Sequence, residues 1–375
     1  MNAYDVIIIG AGIQGCASAF NLALRKCNVL LLEKKTAGRQ ASGVNAGGVR
    51  RLFRAPKEIP LSLAAMELWH RIETLVDHDC GFRPTGQVKI AESDADMRQL
   101  EARAKLVHSL GYTHEELVDA GEMRRLVPAA RHCVGALVSR RDGYAEPYWT
   151  TQAFCAAAVR RGANLIEHSP VTAIERGNRT WHVRCGATTY EAPIVVNCSG
   201  AWGDRIAAMA GDNVPLSAEA PTMMVTARVS HFIDAVVGLT SRKLSFKQMP
   251  NGTVVIGGGH RSLLDMSTER TVIDFTKLKI SAQTVTQVFP FMKNVPIVRC
   301  WAGIEGIMPD QIPVIGPSAS APDFYHAFGF SAHGFQLGPI VGQIMAELIL
   351  DGRTEFPIRP FRVDRFNLKR ALGAE

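Results

Sequence analysis

A glycine-rich turn near the start of the chain restricts the fold more than any other feature. Residues 10–15 read GAGIQG; they follow the β-branched apolar run 5–9 and open a proline-free stretch over 13–25 with helical spacing. A second apolar run over 27–33 ends in the acidic Glu33. The pattern predicts a strand–helix–strand unit whose glycine turn and helix N-terminus bind a dinucleotide pyrophosphate, while Glu33 accepts hydrogen bonds from the adenosine ribose.

The composition excludes several other classes of protein. The chain has 375 residues, of which 47% are hydrophobic and 21% charged, a profile that predicts about two folded domains. No apolar stretch is long enough to cross a membrane, and no basic segment precedes the first apolar run, so we expect neither a membrane helix nor a secretion signal. The net charge of +7 comes from small basic groups without interleaved aromatic residues, which argues against nucleic-acid binding.

The cysteine pattern indicates thiols rather than a metal site. The eight cysteines are scattered along the chain and form no C-x-x-C pair. Structural zinc and iron–sulfur sites usually need closely spaced thiolates, so we expect no metal bound by this chain alone. Buried, reduced thiols are typical of a cytoplasmic protein.

Strand patterns farther along the chain indicate two kinds of structure. Short apolar strands over 163–171 and 192–200 are typical of later members of the first sheet, whereas alternating strands between about 215 and 300 predict an antiparallel sheet. Helical spacing predicts helices over 59–75, 94–110 and 338–350. The sequence therefore predicts an α/β fold with a Rossmann-type domain and a second, antiparallel-sheet domain.

Four further segments, together with the glycine turn, resemble the D-amino acid oxidase family of FAD-dependent oxidoreductases. They are 41–50 (ASGVNAGGVR), 196–202 (VNCSGAW), 301–305 (WAGIE) and 329–335 (GFSAHGF). Within that family the chain is most similar to the B (β) subunits of bacterial opine oxidases, which are related to those of sarcosine oxidase and hydroxyproline dehydrogenase. The resemblance implies a glycine/sarcosine oxidase-like fold with an FAD-binding domain over 1–85, 145–215 and 325–375 and a substrate-binding domain over 86–144 and 216–324.

The resemblance also implies which residues contact the cofactor. Ser42 would meet the pyrophosphate, the 45–48 backbone would pass beside the flavin ring, and residues 334–336 would precede a helix whose N-terminus faces the ring. The complete set of implied FAD contacts is Gly10, Gly12, Ile13, Gln14, Gly15, Glu33, Lys34, Ser42, Asn45, Ala46, Gly47, Gly48, Val171, Gly200, Trp202, Gly303, Ile304, Gly334, Phe335 and Gln336.

Departures from the family pattern bear on how flavins are held. Gly303 stands where monomeric sarcosine oxidase has the cysteine that carries FAD, which implies noncovalent FAD here. Ile256 replaces the oxygen-activating lysine, which favours a dehydrogenase that passes electrons onward. Pro147 replaces the histidine that carries FMN in sarcosine oxidase β subunits, so an FMN would be noncovalent. The resemblance implies an A-type partner subunit and a small iron–sulfur subunit, with the FMN and the iron–sulfur cluster contributed at or by these partners.

Other departures bear on the substrate. Glu305 replaces the arginine that clamps carboxylates in glycine and D-amino acid oxidases. It either pairs with a substrate guanidinium, or it caps a loop or forms a salt bridge with a neighbouring residue. His333 is favoured as a positioning residue, and Gln336 replaces a carboxylate-binding lysine; with Glu305 they are the catalytic candidates. The substrate-binding candidates are Arg50, Arg51, Arg54, Lys247 and Trp301.

These implications favour oxidation of a secondary amine. A hydride would pass to flavin N5 from the carbon beside nitrogen, and the imine would be hydrolysed to an amino acid and a keto acid. Opines such as octopine or nopaline, or N-alkyl and imino acids, are the expected substrates. Two alternatives stay open: a 2-hydroxy acid dehydrogenase with His260 or His333 as base, and a non-catalytic subunit that holds flavin for its partners.

Overall fold

The computed structural model of the protein describes residues 4–131 and 133–366. The strands within them are β1 Val6–Ile9, β2 Val29–Leu32, β3 Gly48–Val49, β4 Gln87–Ala91, β5 Glu116–Asp119, β6 Gly135–Ser139, β7 Gly143–Tyr144, β8 Asn164–Ile166, β9 Ala173–Arg176, β10 Trp181–Cys185, β11 Thr188–Ala192, β12 Ile194–Asn197, β13 Ser217–Glu219, β14 Thr222–Thr226, β15 Val236–Leu239, β16 Ser245–Gln248, β17 Val254–Gly257, β18 Leu263–Asp265, β19 Arg270–Val272, β20 Ile297–Ala302, β21 Glu305–Ile307, β22 Val314–Pro317 and β23 Phe324–Phe328.

Helices in the same residues connect and cover these strands. They are α1 Ile13–Leu24, α2 Ala41–Val44, α3 Ile59–Trp69, α4 Ile72–Val76, α5 Asp94–Ser109, α6 Ala120–Leu126, α7 Pro147–Arg160, α8 Gly203–Met209, α9 Phe275–Val288 and α10 Gly334–Leu350. Short 3-10 helices occupy Pro56–Glu58, Gly200–Trp202, Pro290–Asn294 and Arg359–Phe361.

A six-stranded sheet contains the glycine turn. Its order is β22-β23-β12-β1-β2-β8, with β22 antiparallel to β23 and the other neighbours parallel. All four residues of β1 are buried, as expected for a β-branched strand covered on both faces. The chain leaves β1 and β12 at the same edge, which is where open α/β sheets bind ligands.

The second large sheet is mainly antiparallel. Its eight strands follow the order β20-β14-β17-β16-β15-β4-β6-β5, and β15 pairs with β4 in parallel. Alternate residues of β4 point to opposite faces, so Val88 and Ile90 enter a hydrophobic core while Gln87 and Lys89 belong to the other face. A three-stranded sheet, β11-β10-β9, and three two-stranded sheets complete the strand pairing.

The structure confirms the predicted α/β fold with additional antiparallel sheets, but it moves two helix boundaries. The helix predicted over 59–75 is interrupted at His70 and Arg71, which separate α3 from α4. The last helix begins at Gly334, ahead of the predicted start at 338. Its glycine-rich and proline-containing first turns disfavour a helix by intrinsic propensity, and their burial in the main core outweighs that preference.

The two predicted domains stay a prediction. One strand differs from the predicted division: β22 belongs to the six-stranded sheet, although it lies in the segment 216–324 that the sequence assigns to the second domain. Residues 1–3 and 367–375 of the predicted FAD-binding segments lie outside the described residues.

Three properties of the described residues concern membranes, metals and thiols. None of their helices is long and apolar enough to cross a membrane. Among them, no group of three or more His, Cys, Asp or Glu side chains is placed to hold a metal ion. All eight cysteines are free thiols.

Candidate active site

A cavity of about 840 Å³ lies between the carboxyl ends of the parallel strands and one face of the eight-stranded sheet. The glycine turn after β1, Glu33 after β2 and Cys198 after β12 form one wall. Gln87 and Lys89 of β4, with residues of β15 and β16, form the opposite wall. The cavity thus connects the predicted dinucleotide site to the antiparallel sheet, in the position typical of a ligand site.

Most of the predicted FAD contacts line this cavity. Those that do are Gly10, Gly12, Ile13, Gln14, Glu33, Lys34, Ser42, Asn45, Ala46, Gly48, Val171, Gly200, Trp202, Gly303, Ile304, Gly334 and Phe335. The three that do not are Gly15, Gly47 and Gln336.

The glycine turn is shaped by close backbone contacts. Gly10 has φ +102°, and a Cβ there would lie 2.5 Å from the backbone oxygen of Cys198, the residue that follows β12. A Cβ on Gly15 would lie 1.9 Å from the Gly10 oxygen, so Gly15 allows α1 to pack on the turn and does not itself face the cavity. A Cβ on Gly12 would lie 2.9 Å from Ser42 Oγ, which accepts a hydrogen bond of 3.0 Å from the Ile13 N–H. The N-terminus of α1 therefore faces an oxygen atom, as anion-binding helices do.

The carboxylate of Glu33 is held rigidly at the edge of the turn. Glu33 is 8% exposed, and its two oxygens accept hydrogen bonds of 2.8 Å from the Ala11 N–H and 2.9 Å from the Lys35 N–H. Each carboxylate oxygen can accept a further hydrogen bond. The geometry fits the role of ribose acceptor that the motif predicts for Glu33.

Trp202 and Lys34 meet on the same wall of the cavity. The Lys34 Nζ lies 3.0 Å from the centroid of the Trp202 ring and forms an ion pair with Glu269. Burial lowers the pKa of Lys34, against the opposing effect of the hydrogen bond to Glu269. This contact fixes the indole ring beside the residues that follow β2.

The segment 45–48 is a constrained strip of backbone. Asn45 accepts a hydrogen bond of 2.7 Å from the Gly47 N–H and donates one of 2.9 Å to the Ala41 oxygen. Gly47 has φ +68°, and a Cβ there would lie 2.3 Å from the Ala145 oxygen. Gly47 therefore faces the protein, while Asn45, Ala46 and Gly48 line the cavity.

Of the three predicted arginines, the structure brings only Arg50 to the cavity. Its Nη1 donates a hydrogen bond of 2.6 Å to the Leu52 oxygen, and the side chain contributes to the wall. Arg51 instead forms a buried ion pair of 2.8 Å with Asp142. Arg54 is 1% exposed, its Nε donates to the Arg50 oxygen, and burial together with the Arg50 charge lowers its pKa to about 9. Neither Arg51 nor Arg54 lines the cavity, and a contact of either residue with the substrate stays a prediction.

Lys247 and Trp301 lie behind the cavity rather than in it. Lys247 is 4% exposed, packs 4.5 Å from the Tyr144 ring centroid and has its pKa lowered to about 8 by burial. Trp301 donates a hydrogen bond of 2.8 Å to the Val44 oxygen and so holds α2 in place. Because neither residue lines the cavity, their contact with the substrate stays a prediction.

Glu305 lines the cavity from β21 and also caps a loop. Its Oε1 accepts a hydrogen bond of 2.7 Å from the Ala332 N–H. The loop is strained, because Ser331 and Ala332 have φ +50° and +69°. Burial, and the carboxylate of Glu219 on the paired strand β13, raise the pKa of Glu305 to about 7. This carboxyl group therefore changes charge near neutral pH.

His333 and Gln336 do not touch the cavity. His333 Nδ1 lies 2.9 Å from a Glu58 carboxylate oxygen, and burial followed by the Arg54 charge lowers its pKa to about 4. Gln336 is fully buried, accepts from Ser62 and lies within the first turn of α10 rather than ahead of the helix. In the structure both residues are engaged in packing and hydrogen bonding outside the cavity, and their catalytic role stays a prediction. His260, the other predicted base of the hydroxy-acid alternative, is also outside the cavity.

Many cavity residues are absent from the sequence predictions, among them one aromatic residue and two polar residues of β4. Phe53, Gln87 and Lys89 line the wall opposite the glycine turn. Polar and apolar residues alternate along β4, a signal that places Gln87 and Lys89 on one face of the strand. The sequence contains no comparable signal for Phe53, which has a left-handed φ of +63°.

The residues present fit FAD. Gln14 Oε1 and Trp202 Nε1 are buried without a hydrogen-bond partner among the described residues, although both side chains line the cavity. A bound molecule that carries hydroxyl groups can satisfy both atoms. The glycine turn leaves room for a pyrophosphate, and Glu33 offers the acceptor that an adenosine ribose needs.

Comparisons with known proteins agree with this fit. The model of the DAO family, described as FAD dependent oxidoreductase, matches residues 5–348. The chain is 27% identical to sarcosine oxidase subunit beta of Rhizobium meliloti (strain 1021), over 97% of this chain and 88% of that one. It is 28% identical to glycine oxidase of Geobacillus kaustophilus (strain HTA426), over 96% and 97% of the two chains.

A solved structure gives the same assignment. The crystal structure of L-proline dehydrogenase from P. horikoshii matches with a TM-score of 0.91 and 27% identity, covering 98% of each chain. The family match extends over most of the chain and includes the cavity wall from the glycine turn to α10. The chain belongs to the DAO family of FAD-dependent oxidoreductases.

Proposed function

We propose that this chain catalyses the FAD-dependent oxidation of a secondary amine that carries a carboxylate, such as an opine of the octopine or nopaline type or an N-alkyl or imino acid. The observation that carries the proposal is that one cavity joins the dinucleotide turn to the cationic residue Arg50. Among the described residues, no histidine lines that cavity. Hydride loss from a neutral amine needs no side-chain base, whereas the hydroxy-acid alternative relies on His260 or His333.

When bound, FAD would supply an acceptor, at N5, for a hydride that carries two electrons away from the carbon beside the amine nitrogen; water would then hydrolyse the resulting imine to an amino acid and a keto acid. The protein's part is orientation and electrostatics. Arg50 holds a substrate carboxylate, and the rigid 45–48 backbone sets one boundary of the site. Gly334 and Phe335 bring the N-terminus of α10 to the cavity, where its positive potential stabilises negative charge.

The cofactor is proposed to bind noncovalently. Gly303 has no side chain that can form a bond, and Cys300 does not line the cavity. The six-stranded sheet with its helices is the proposed FAD-binding domain, and the eight-stranded sheet is the proposed substrate-binding domain. The relatives named as β subunits support a heteromeric complex. We propose that this complex is cytoplasmic and contains an A-type subunit and a small iron–sulfur subunit, with an FMN held at or by these partners.

The central test is an anaerobic titration of the FAD-loaded chain, alone and with its partner subunits. We expect octopine, nopaline or an N-alkyl amino acid to bleach the visible absorbance of oxidised flavin, and 2-hydroxyglutarate to leave it unchanged. An Arg50→Met variant should retain FAD and need about 10-fold more amine, because a charge-assisted hydrogen bond is lost. An Arg353→Met variant, which removes an exposed charge, is the matched control.

Bleaching by 2-hydroxyglutarate without bleaching by any amine contradicts the proposal. No bleaching by either class, with FAD bound and partners present, supports the non-catalytic subunit instead.

FAD binding depends on Glu33. We expect Glu33→Gln to raise the dissociation constant for FAD about 10-fold or more, because an amide replaces one of the two acceptor oxygens. Glu167→Gln is the matched control, since Glu167 also accepts a backbone N–H but does not line the cavity. Quenching of flavin fluorescence on binding measures both constants. Equal effects of the two substitutions would contradict the ribose role of Glu33.

Glu305 predicts a pH-dependent preference among amines. Its pKa of about 7 leaves it neutral at lower pH and ionised at higher pH, so an amine with a guanidinium gains affinity as pH rises through about 7. We expect the KM for octopine, relative to an opine with a neutral side chain, to fall about 10-fold across this range.

Two variants distinguish this account from a general pH effect. Glu305→Gln should make the KM ratio independent of pH. Glu219→Gln should move the pH at which the KM ratio changes to a lower value. The carboxylate of Glu219 raises the pKa of Glu305, and removing it also frees Arg261, whose charge lowers the pKa of Glu305. A pH-independent ratio in the unmodified protein would rule out guanidinium binding by Glu305.

A further inference from the structure

Lys89 is a cation on the cavity wall that the proposed mechanism does not use. It lies in β4, directly opposite Gly238 of β15 and Leu137 of β6. Gly238 also lines the cavity and has no side chain to cover the lysine. Val88 and Ile90, the neighbours of Lys89 in β4, belong to the hydrophobic core on one face of the sheet. Because successive strand residues alternate between faces, Lys89 lies on the opposite face.

The Lys89 ammonium has no anionic partner among the described residues. The Lys89 Nζ lies 4.4 Å from the centroid of the Phe53 ring. Glu115 is the acidic group whose charge raises the pKa of Lys89. Its carboxylate already accepts two hydrogen bonds of 2.8 Å from Arg103 and one from the Phe53 N–H. A mostly buried cation without a counter-ion is costly, so a ligand that supplies an anion would be stabilised there.

Arg50 is the second cation of this part of the cavity. Burial, and then the charge of Arg50, lower the pKa of Lys89 to about 8. The two positive charges therefore repel each other. Leu52 and Phe53 line the same cavity as these two cations. The left-handed backbone at Phe53, held by its N–H bond to Glu115, places the aromatic ring against Lys89. Two separate cations that line one cavity, with the Phe53 ring beside Lys89, match a ligand with two carboxylates joined by an apolar linker.

We propose that Arg50 and Lys89 each bind one carboxylate of the substrate, so that the substrate class is a secondary amine with a carboxylate on both sides of the nitrogen. This inference rests on the proposed amine oxidation and narrows it, because N-alkyl amino acids with one carboxylate leave Lys89 unpaired. Lys247 is not a third anchor, since it lies behind the cavity.

The test compares two ligands that differ by one carboxylate, N-(1-carboxyethyl)alanine and N-isopropylalanine, on the FAD-loaded chain. Binding is measured by calorimetry, which does not depend on turnover, and reduction of the flavin is measured separately. In the unmodified protein we expect the dicarboxylate to bind at least about 10-fold more tightly. Lys89→Met should remove that difference by weakening the dicarboxylate alone, and Lys89→Arg should restore most of it.

Lys105→Met, which removes an exposed charge from α5, is the matched control and should leave the difference intact. Flavin content and thermal unfolding confirm that each variant is folded, and Lys89→Arg keeps the test valid if Lys89→Met is unstable. The proposal is overturned if Lys89→Met weakens both ligands equally, changes neither, or if the unmodified protein does not prefer the dicarboxylate. Tight dicarboxylate binding without flavin reduction would support the anchor and contradict the proposed oxidation.

Discussion

Close backbone contact between α1 and α10 is the constraint on which the site depends. A Cβ on Gly342 would lie 2.4 Å from the Ala17 carbonyl carbon, and one on Gly338 would lie 2.5 Å from Ile13 Cγ1. Larger residues there would push the helices apart, with an expected cost of about 1–3 kcal/mol for overpacking. The contact brings both helix N-termini to one cavity, and the Gln14 side chain joins them by donating to the Gly334 oxygen.

The parts of the fold that the sequence predicted are those set by neighbouring residues. The turn over 10–15 and Glu33 form a local unit, so strand, helix and turn patterns are sufficient to place them. The sequence does not show that Arg51 and Trp301 lie outside the cavity, because the partners that hold them, Asp142 and the Val44 oxygen, are far away in the chain. Residue type alone shows that an arginine can bind a carboxylate; it does not show whether the carboxylate belongs to the protein or to a ligand.

Partnered and unpartnered charges have different places in this structure. Arg51 is neutralised by Asp142 and His333 is bonded to Glu58, and neither side chain lines the cavity. Lys89 lines it with no bonded anion in the described part of the chain, and Glu305 lines it as a carboxyl group whose pKa burial raises to about 7. Charges whose partners are supplied by the protein support the walls, whereas the others are available to a ligand.

The central claim is that one cavity binds FAD and a dicarboxylic secondary amine together. A crystal structure of the FAD-loaded chain with a thioether dicarboxylate, in which sulfur replaces the reactive nitrogen, tests it most directly. The account predicts one carboxylate within hydrogen-bond distance of Arg50 and the other within the same distance of Lys89, with the sulfur beside the flavin ring. A ligand bound with neither carboxylate at these two residues, or outside the cavity, would contradict the account.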